Sequence, residues 1–324
     1  MSHLVNSGEP IDAVLAAAIF ADVERALAED VGGGDVTAQL LSPREWARAR
    51  VIVREAAVLC GAPWFEGVFA QLDSRVRIDW RQAEGARMAA DSEVCVIEGP
   101  LRALFTGERT ALNFLQLLSG VATKVRAYVD AIAGTPATIV DTRKTVPGLR
   151  LAQKYAVRVG GARNHRLGLY DGILIKENHI AAAGGVTAAW RAAQTLETQL
   201  PIQLEVETLE QLDEALAAGA SFILLDNFTV EATREALQRT GGRAVLEASG
   251  GITLDSVRAV AETGVHRISV GGLTKDIRAI DYSMRITNRV SYREASASSE
   301  FELRGDVPRQ VAREIIDEGS DGRQ

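Results

Sequence analysis

Between Arg143 and Lys176 the chain carries eight cations, Arg143, Lys144, Arg150, Lys154, Arg158, Arg163, Arg166 and Lys176, against one acid, Asp171. The whole protein has a net charge of −7, so this segment runs against its background and points to an anionic ligand. Two of the cations stand side by side in VDTRKTVPGLR (Val140 to Arg150), where the apolar run Ala137 to Val140 stops. Arginine suits a planar carboxylate because its guanidinium fork bonds both oxygens, which favours Arg143 and Arg166 over the lysines. His165, beside Arg166 in GGARNHRLG, is a further donor to a carboxylate, although a lone histidine is more often structural. Arg150, Lys154, Arg158 and Arg163 lie on a helix-like stretch and are assigned mostly to solvated faces and ion pairs.

Lys176, Glu205 and Asp226 stand at the ends of the apolar runs ILIK, QLEV and FILLD. Lys176 admits three readings: an ion pair with Glu205 or Asp226, a phosphate or carboxylate contact, or a Schiff-base amine. Two carboxylates at neighbouring strand ends suit Mg²⁺ held through a few oxygens and a phosphate substrate; salt bridging to the nearby cations is an equal alternative. SGGI (Ser249, Gly250, Gly251, Ile252) and VGGLT (Val270, Gly271, Gly272, Leu273, Thr274) each follow a late strand and open a helix. Glycine lets the backbone approach a ligand closely, and N–H groups at a helix start favour phosphate oxygens. Two such loops on consecutive strands favour a phosphate site over plain turns.

These positions form one site only if their strands lie side by side. After Gly120 the runs TIVD, ILIK, QLEV, FILLD, AVLEAS and RISVG recur, separated mostly by helical stretches such as TLEQLDEALAAG. They are short, apolar throughout and rich in Ile, Val and Leu, as in a parallel sheet covered by helices on both faces. Six or seven βα units predict a closed or nearly closed barrel, whose active site lies at the carboxyl ends of the strands. A doubly wound open sheet is the alternative, but no GxGxxG or P-loop pattern follows any strand. Before Gly120 the pattern is α+β, with strands at Arg50–Glu55, Arg75–Trp80 and Glu93–Glu98 and helices at Ile11–Ala28, Pro63–Leu72 and Leu101–Leu118. On the last helix Leu101, Leu104, Phe105, Leu112, Leu115 and Leu118 predict one buried face. The expected division is an N-terminal domain over 1–120, a barrel over 121–290 and a charged, Ser-rich, mobile tail over 291–324, in which VPRQVAREIIDE has helical spacing.

The chain is 47% hydrophobic and 24% charged, ordinary values for a globular protein. A pI of 5.3 argues against nucleic-acid binding, which needs a broad basic surface. No apolar run approaches the ~18 residues that span a bilayer, and IDAVLAAAIFADVERAL is acidic, with no basic region ahead of it; a soluble cytoplasmic protein is expected. Cys60 and Cys95 form no CxxC pair and the four histidines show no HExxH spacing, so neither a disulfide framework nor a zinc site is expected.

DTRKTVPGLR, KYAVRVGGARNHRLGLYDGILIKENHI, LEVETLEQLDEAL, ILLDNF, EASGGI and SVGGLT, in that order, resemble the quinolinate phosphoribosyltransferase family, the carboxylating nicotinate-nucleotide pyrophosphorylases. The likeness runs from about Glu29 to about Ile286, with departures at Val146, Ala162 and Glu177, where the family commonly has Thr, Gly and Asp. It implies an N-terminal α+β sandwich followed by an incomplete, open βα barrel of six to seven parallel strands, in a head-to-tail homodimer, with higher assembly left open. It also implies quinolinate and phosphoribosyl pyrophosphate as substrates and Mg²⁺ as cofactor, with nicotinate mononucleotide, CO₂ and pyrophosphate as products, in de novo NAD biosynthesis. On this resemblance Arg143, His165, Arg166 and Lys176 line the quinolinate pocket, and Arg109 of GERT reaches in from the partner subunit. Lys144 faces the pyrophosphate, Glu205 and Asp226 face the metal and the ribose hydroxyls, and Ser249, Gly250, Gly251, Val270, Gly271 and Gly272 face the 5′-phosphate. Lys144, Lys176, Glu205 and Asp226 are the catalytic candidates. The alternatives are a relative associated with molybdenum transport, a Schiff-base aldolase using Lys176, and a non-catalytic phosphometabolite sensor.

Overall fold

The computed structural model describes residues 10–290, so the expected tail, VPRQVAREIIDE included, lies outside the described residues. Helix α1 (Ala13–Val31) starts where the Asp12 side chain accepts the backbone N–H of Leu15 at 2.8 Å. It is followed by β1 (Trp46–Val53), β2 (Ala57–Val58), α2 (Ala62–Leu72), β3 (Arg77–Trp80), β4 (Arg87–Met88) and β5 (Glu93–Pro100). In β1 the alternation is direct: Ala47, Ala49, Val51 and Val53 are buried, while Arg48 and Arg50 are exposed.

Helix α3 (Leu101–Ala131) is longer than its sequence pattern predicts and carries the chain through residue 120 without a break. Its buried arc centres on Leu104, Ala111, Leu118 and Ala122. Phe105, expected on that face, falls past its edge and is 44% exposed.

Next come β6 (Thr138–Val140), α4 (Arg150–Val159), β7 (Ile173–Ile175), α5 (Glu177–Ala183) and α6 (Val186–Gln194). After these the units are regular: β8 (Ile202–Val206), α7 (Leu209–Ala217), β9 (Phe222–Asp226), α8 (Val230–Thr240), β10 (Val245–Ser249), α9 (Val257–Ala261), β11 (Arg267–Ser269) and α10 (Gly272–Lys275). The six strands form one parallel sheet in the order β6-β11-β10-β9-β8-β7. Thr208 and Thr229 cap α7 and α8 through their side chains, so each helix begins almost as its strand ends.

The barrel is open between β6 and β7. The free edge of β6 is met there by an extended segment, with a parallel bridge between Val140 and Arg163. Arg163 is therefore not on the helix expected for it. The segment filling the seam runs on into His165 and Arg166, so the incompleteness of the barrel is what delivers both to its mouth.

The chain finally returns to its first sheet. β12 (Tyr282–Val290) pairs antiparallel with β1, giving the order β12-β1-β5-β3. Residues assigned by sequence to the barrel thus complete the N-terminal sheet. The return path crosses α3 at Gly120, where a Cβ would stand 2.3 Å from the Arg278 carbonyl oxygen. Among the described residues, no helix is long and apolar enough to cross a membrane.

Candidate active site

A cleft of about 1000 Å³ opens at the carboxyl ends of the barrel strands. Arg143, Lys144, His165, Arg166, Lys176, Glu205, Asp226, Ser249, Gly250, Gly251, Val270, Gly271 and Gly272 all line it. Arg109 does not; it is exposed on α3, away from the mouth of its own barrel.

The seam segment is held from below. Asp141 directly follows β6 but is fully buried and does not line the cleft. It accepts hydrogen bonds from Lys154 Nζ (2.6 Å), the His165 backbone N–H (2.7 Å) and Asn164 Nδ2 (2.9 Å). Lys154, also fully buried, donates further to the carbonyls of His165 (2.9 Å) and Arg166 (3.1 Å). Burial pushes Asp141 up and Lys154 down, each toward its neutral form, and their mutual attraction works against both shifts. The network satisfies all three ammonium hydrogens, which makes a buried pair tolerable and fixes the chain beneath His165 and Arg166.

His165 has both ring nitrogens engaged by the protein. Nδ1 accepts the Arg166 backbone N–H at 2.8 Å, so in the neutral ring the hydrogen sits on Nε2, which faces Gln203 Oε1 at 2.9 Å. Burial pushes this imidazole below its ordinary value; Glu247 pulls the other way and Arg267 adds to the burial. His165 therefore borders the cleft with both ring nitrogens held by the protein, and its Nδ1 orders Arg166.

Arg166 donates Nη1 to the Gly172 carbonyl at 3.1 Å. Burial, then the charge of Arg143, lowers its guanidinium pKa from the ordinary value. The Nε of Arg143 is buried without a hydrogen-bond partner. Two guanidinium groups that repel one another and keep a spare donor match a carboxylate-bearing anion.

Just after β7, Lys176 Nζ lies 3.6 Å from Glu205 Oε2, the ion-pair position among its expected roles. Burial pushes the Glu205 carboxyl up; Lys176 opposes this and Asp226 adds to it. Asp226 accepts from Asn227 Nδ2 at 2.8 Å, and the Asn227 backbone N–H reaches the Ser249 carbonyl at 2.9 Å. Gly250 must be glycine here: its φ is +94°, and a Cβ would come within 2.1 Å of Asn227 Oδ1. Among the described residues no group of three or more His, Cys, Asp or Glu forms a metal cage. Mg²⁺ commonly takes only one or two carboxylates and completes its shell with water and phosphate oxygens, and Glu205 with Asp226 fits that donor set.

Sequence reasoning missed the groups that support the two loops. Buried Gln153 accepts the Val146 backbone N–H (2.7 Å) and donates to the Thr274 carbonyl (2.9 Å), while Thr274 Oγ1 donates to the Lys144 carbonyl (2.8 Å). Lys124 of α3 donates to the carbonyls of Gly272 (2.8 Å) and Asp276 (2.9 Å). Both lie on helices, where no strand-end signal marks them.

Residues 35–119 match the N-terminal domain of quinolinate phosphoribosyl transferase, and residues 121–285 match its C-terminal domain. The chain is 42% identical over 260 residues to a probable nicotinate-nucleotide pyrophosphorylase (carboxylating) of Bacillus subtilis, covering 80% of this chain and 90% of that one. It is 43% identical over 272 residues to the nicotinate-nucleotide pyrophosphorylase (carboxylating) of Mycobacterium leprae, covering 81% and 95%. The solved structure of the nicotinate-nucleotide pyrophosphorylase from Francisella tularensis superposes with a TM-score of 0.83 at 42% identity, covering 86% of this chain and 99% of that one.

Proposed function

The chain belongs to the quinolinate phosphoribosyltransferase family, and we propose that its cleft joins quinolinate to phosphoribosyl pyrophosphate, yielding nicotinate mononucleotide, CO₂ and pyrophosphate. The observation that carries this is that one cleft gathers Arg143 and Arg166, matched to carboxylates, together with the glycine loops at Ser249–Gly251 and Gly271–Gly272. Lys144 lies beside Gly271. The curated relatives carry the pyrophosphorylase name, and nothing in the cleft favours the aldolase, transport-associated or sensor alternatives.

Both substrates are polyanions and would repel one another in a neutral cleft. Arg143 and Arg166 hold the quinolinate carboxylates, so that the ring nitrogen faces C1′ of the ribose. The nitrogen attacks C1′, the bond from C1′ to the pyrophosphate oxygen breaks, and Lys144 stabilises the departing charge. Glu205 and Asp226 would hold Mg²⁺, which would supply further Lewis-acid stabilisation of the leaving group. The nitrogen is now a pyridinium. When the bond to the 2-carboxylate breaks, the electron pair left on C2 is stabilised by the adjacent positive nitrogen, and a proton from water completes C2.

Pyrophosphate release tests the reading: it should require both substrates and Mg²⁺. Release without quinolinate overturns the transfer step, and full turnover in excess chelator overturns the metal. Arg109 belongs to this proposal through a homodimer, reaching the partner's quinolinate. An inactive Arg109→Ala chain mixed with an inactive Lys144→Ala chain then regains up to roughly a quarter of wild-type sites, by the two-fold symmetry of such a dimer. No recovery despite demonstrated exchange of subunits means that Arg109 acts in its own subunit or not at all.

A further inference from the structure

Glu247 is a carboxylate that this reaction leaves without a task. It lies in the middle of β10, level with Arg267 of β11 and two residues before Ser249, and it is fully buried. An anion buried beneath a site built for anions is costly and calls for a reason. Arg267 Nε lies 2.9 Å from one carboxylate oxygen and His165 Nε2 lies 3.5 Å from the other. Neither oxygen has a hydrogen bond of good geometry, so the contacts are those of charge and proximity.

The consequence falls on His165. The Arg166 backbone N–H requires a bare Nδ1, which puts the single hydrogen of the neutral ring on Nε2. Gln203 Oε1 faces that nitrogen, but the Gln203 amide has its own Nε2 buried without a partner, and turning it over would present a donor instead. Ionised Glu247 has no donor to present. It can face only a nitrogen that carries hydrogen, and so it removes the other tautomer.

We propose that Glu247 is a positioning residue for quinolinate recognition: it holds His165 as the Nε2–H tautomer, and Nδ1 of that ring holds the backbone of Arg166. This rests on the reaction assigned above. It links the strand that carries the Ser249 loop to the arginine on the opposite side of the cleft.

The test is Glu247→Gln in the full chain, followed in two ways. Nitrogen NMR of histidine-labelled protein should show His165 of the wild type with a bare Nδ1, and of the variant as a mixture of tautomers. The KM for quinolinate should rise by about tenfold or more, as for loss of a hydrogen bond to a charged group. The KM for phosphoribosyl pyrophosphate should stay within about twofold, because its contacts are untouched. An Nδ1–H ring in the wild type, an unchanged tautomer in the variant, or equal rises in both KM values overturns the proposal. If Glu247→Gln does not fold, Glu247→Gln/Arg267→Gln removes both buried charges together. The same KM split is then expected, whereas a wild-type quinolinate KM shows that Glu247 only balances Arg267. The tautomer is read without turnover, so a wild-type protein lacking the reaction is told apart from one whose Glu247 lacks this role.

Discussion

Lys154 and Lys176 come from the same cation-rich segment and end in opposite environments. Lys154 is shut in beneath the seam, with all three of its ammonium hydrogens taken by Asp141 and two backbone carbonyls. Lys176 stands at the mouth with its side chain 46% exposed and one carboxylate neighbour at 3.6 Å. The same contrast separates the floor of the barrel from its rim. On the floor, charges are enclosed and paired within the protein and serve the fold. At the rim, Arg143, Lys144 and Lys176 line the cleft, where their charges are available to the anionic substrate proposed above.

The largest expected effect tests the floor. Lys154→Met leaves Asp141 buried without its counter-charge and should cost about 3–5 kcal/mol in urea unfolding. A loss below about 1 kcal/mol, the scale of an exposed pair, would move Lys154 to the rim class.

In the N-terminal domain another enclosed carboxyl, that of Glu84, carries a pH signature. It is buried at the start of α2, where it accepts the N–H groups of Gly61 (2.8 Å) and Ala62 (3.2 Å). Burial nevertheless raises its pKa from 4.5 to about 7. Between those values the folded protein keeps a proton that the unfolded chain has lost, so this contribution is full below pH 4.5 and fades as pH rises through 7. Across that window the wild type should lose roughly 3 kcal/mol relative to Glu84→Gln. Parallel pH profiles for the two proteins would contradict it.

At the rim the effects move from stability to binding. Arg166→Lys keeps the charge and loses the fork, and should weaken quinolinate by about 1.5–3 kcal/mol while leaving phosphoribosyl pyrophosphate nearly unchanged. Equal losses for both substrates would sink the assignment of Arg166 to quinolinate. The smallest stability effect is expected for Lys176→Met: under about 1 kcal/mol in unfolding, since the pair with Glu205 is half exposed, alongside a marked fall in turnover. A variant that unfolds easily would place Lys176 with Lys154.

The rim was legible in the sequence because a parallel barrel writes its active site at strand ends, and strand ends follow from apolar runs. All six strands from TIVD to RISVG appear in one sheet. The floor was not legible. Position along a strand does not show which way a side chain turns, so Asp141 reads like Arg143 although one is enclosed and the other lines the cleft. Lys154 reads as one helix cation among several. Gln153 and Lys124 act through backbone carbonyls far away in sequence, and the return of β12 to β1 is a long-range pairing without a local signature. Arg109 is exposed in the single chain, so the role proposed for it depends on a second copy.

A rim that carries out a decarboxylating transfer must release the 2-carboxyl group of quinolinate as CO₂. Quinolinate labelled with ¹³C at the 2-carboxyl, mixed with phosphoribosyl pyrophosphate, Mg²⁺ and the protein, tests it directly. Labelled CO₂, unlabelled nicotinate mononucleotide and pyrophosphate should appear in equal amounts, and all three should fall together in Lys176→Met while the protein stays folded. Label retained in the nucleotide, or pyrophosphate formed without labelled CO₂, would contradict the account.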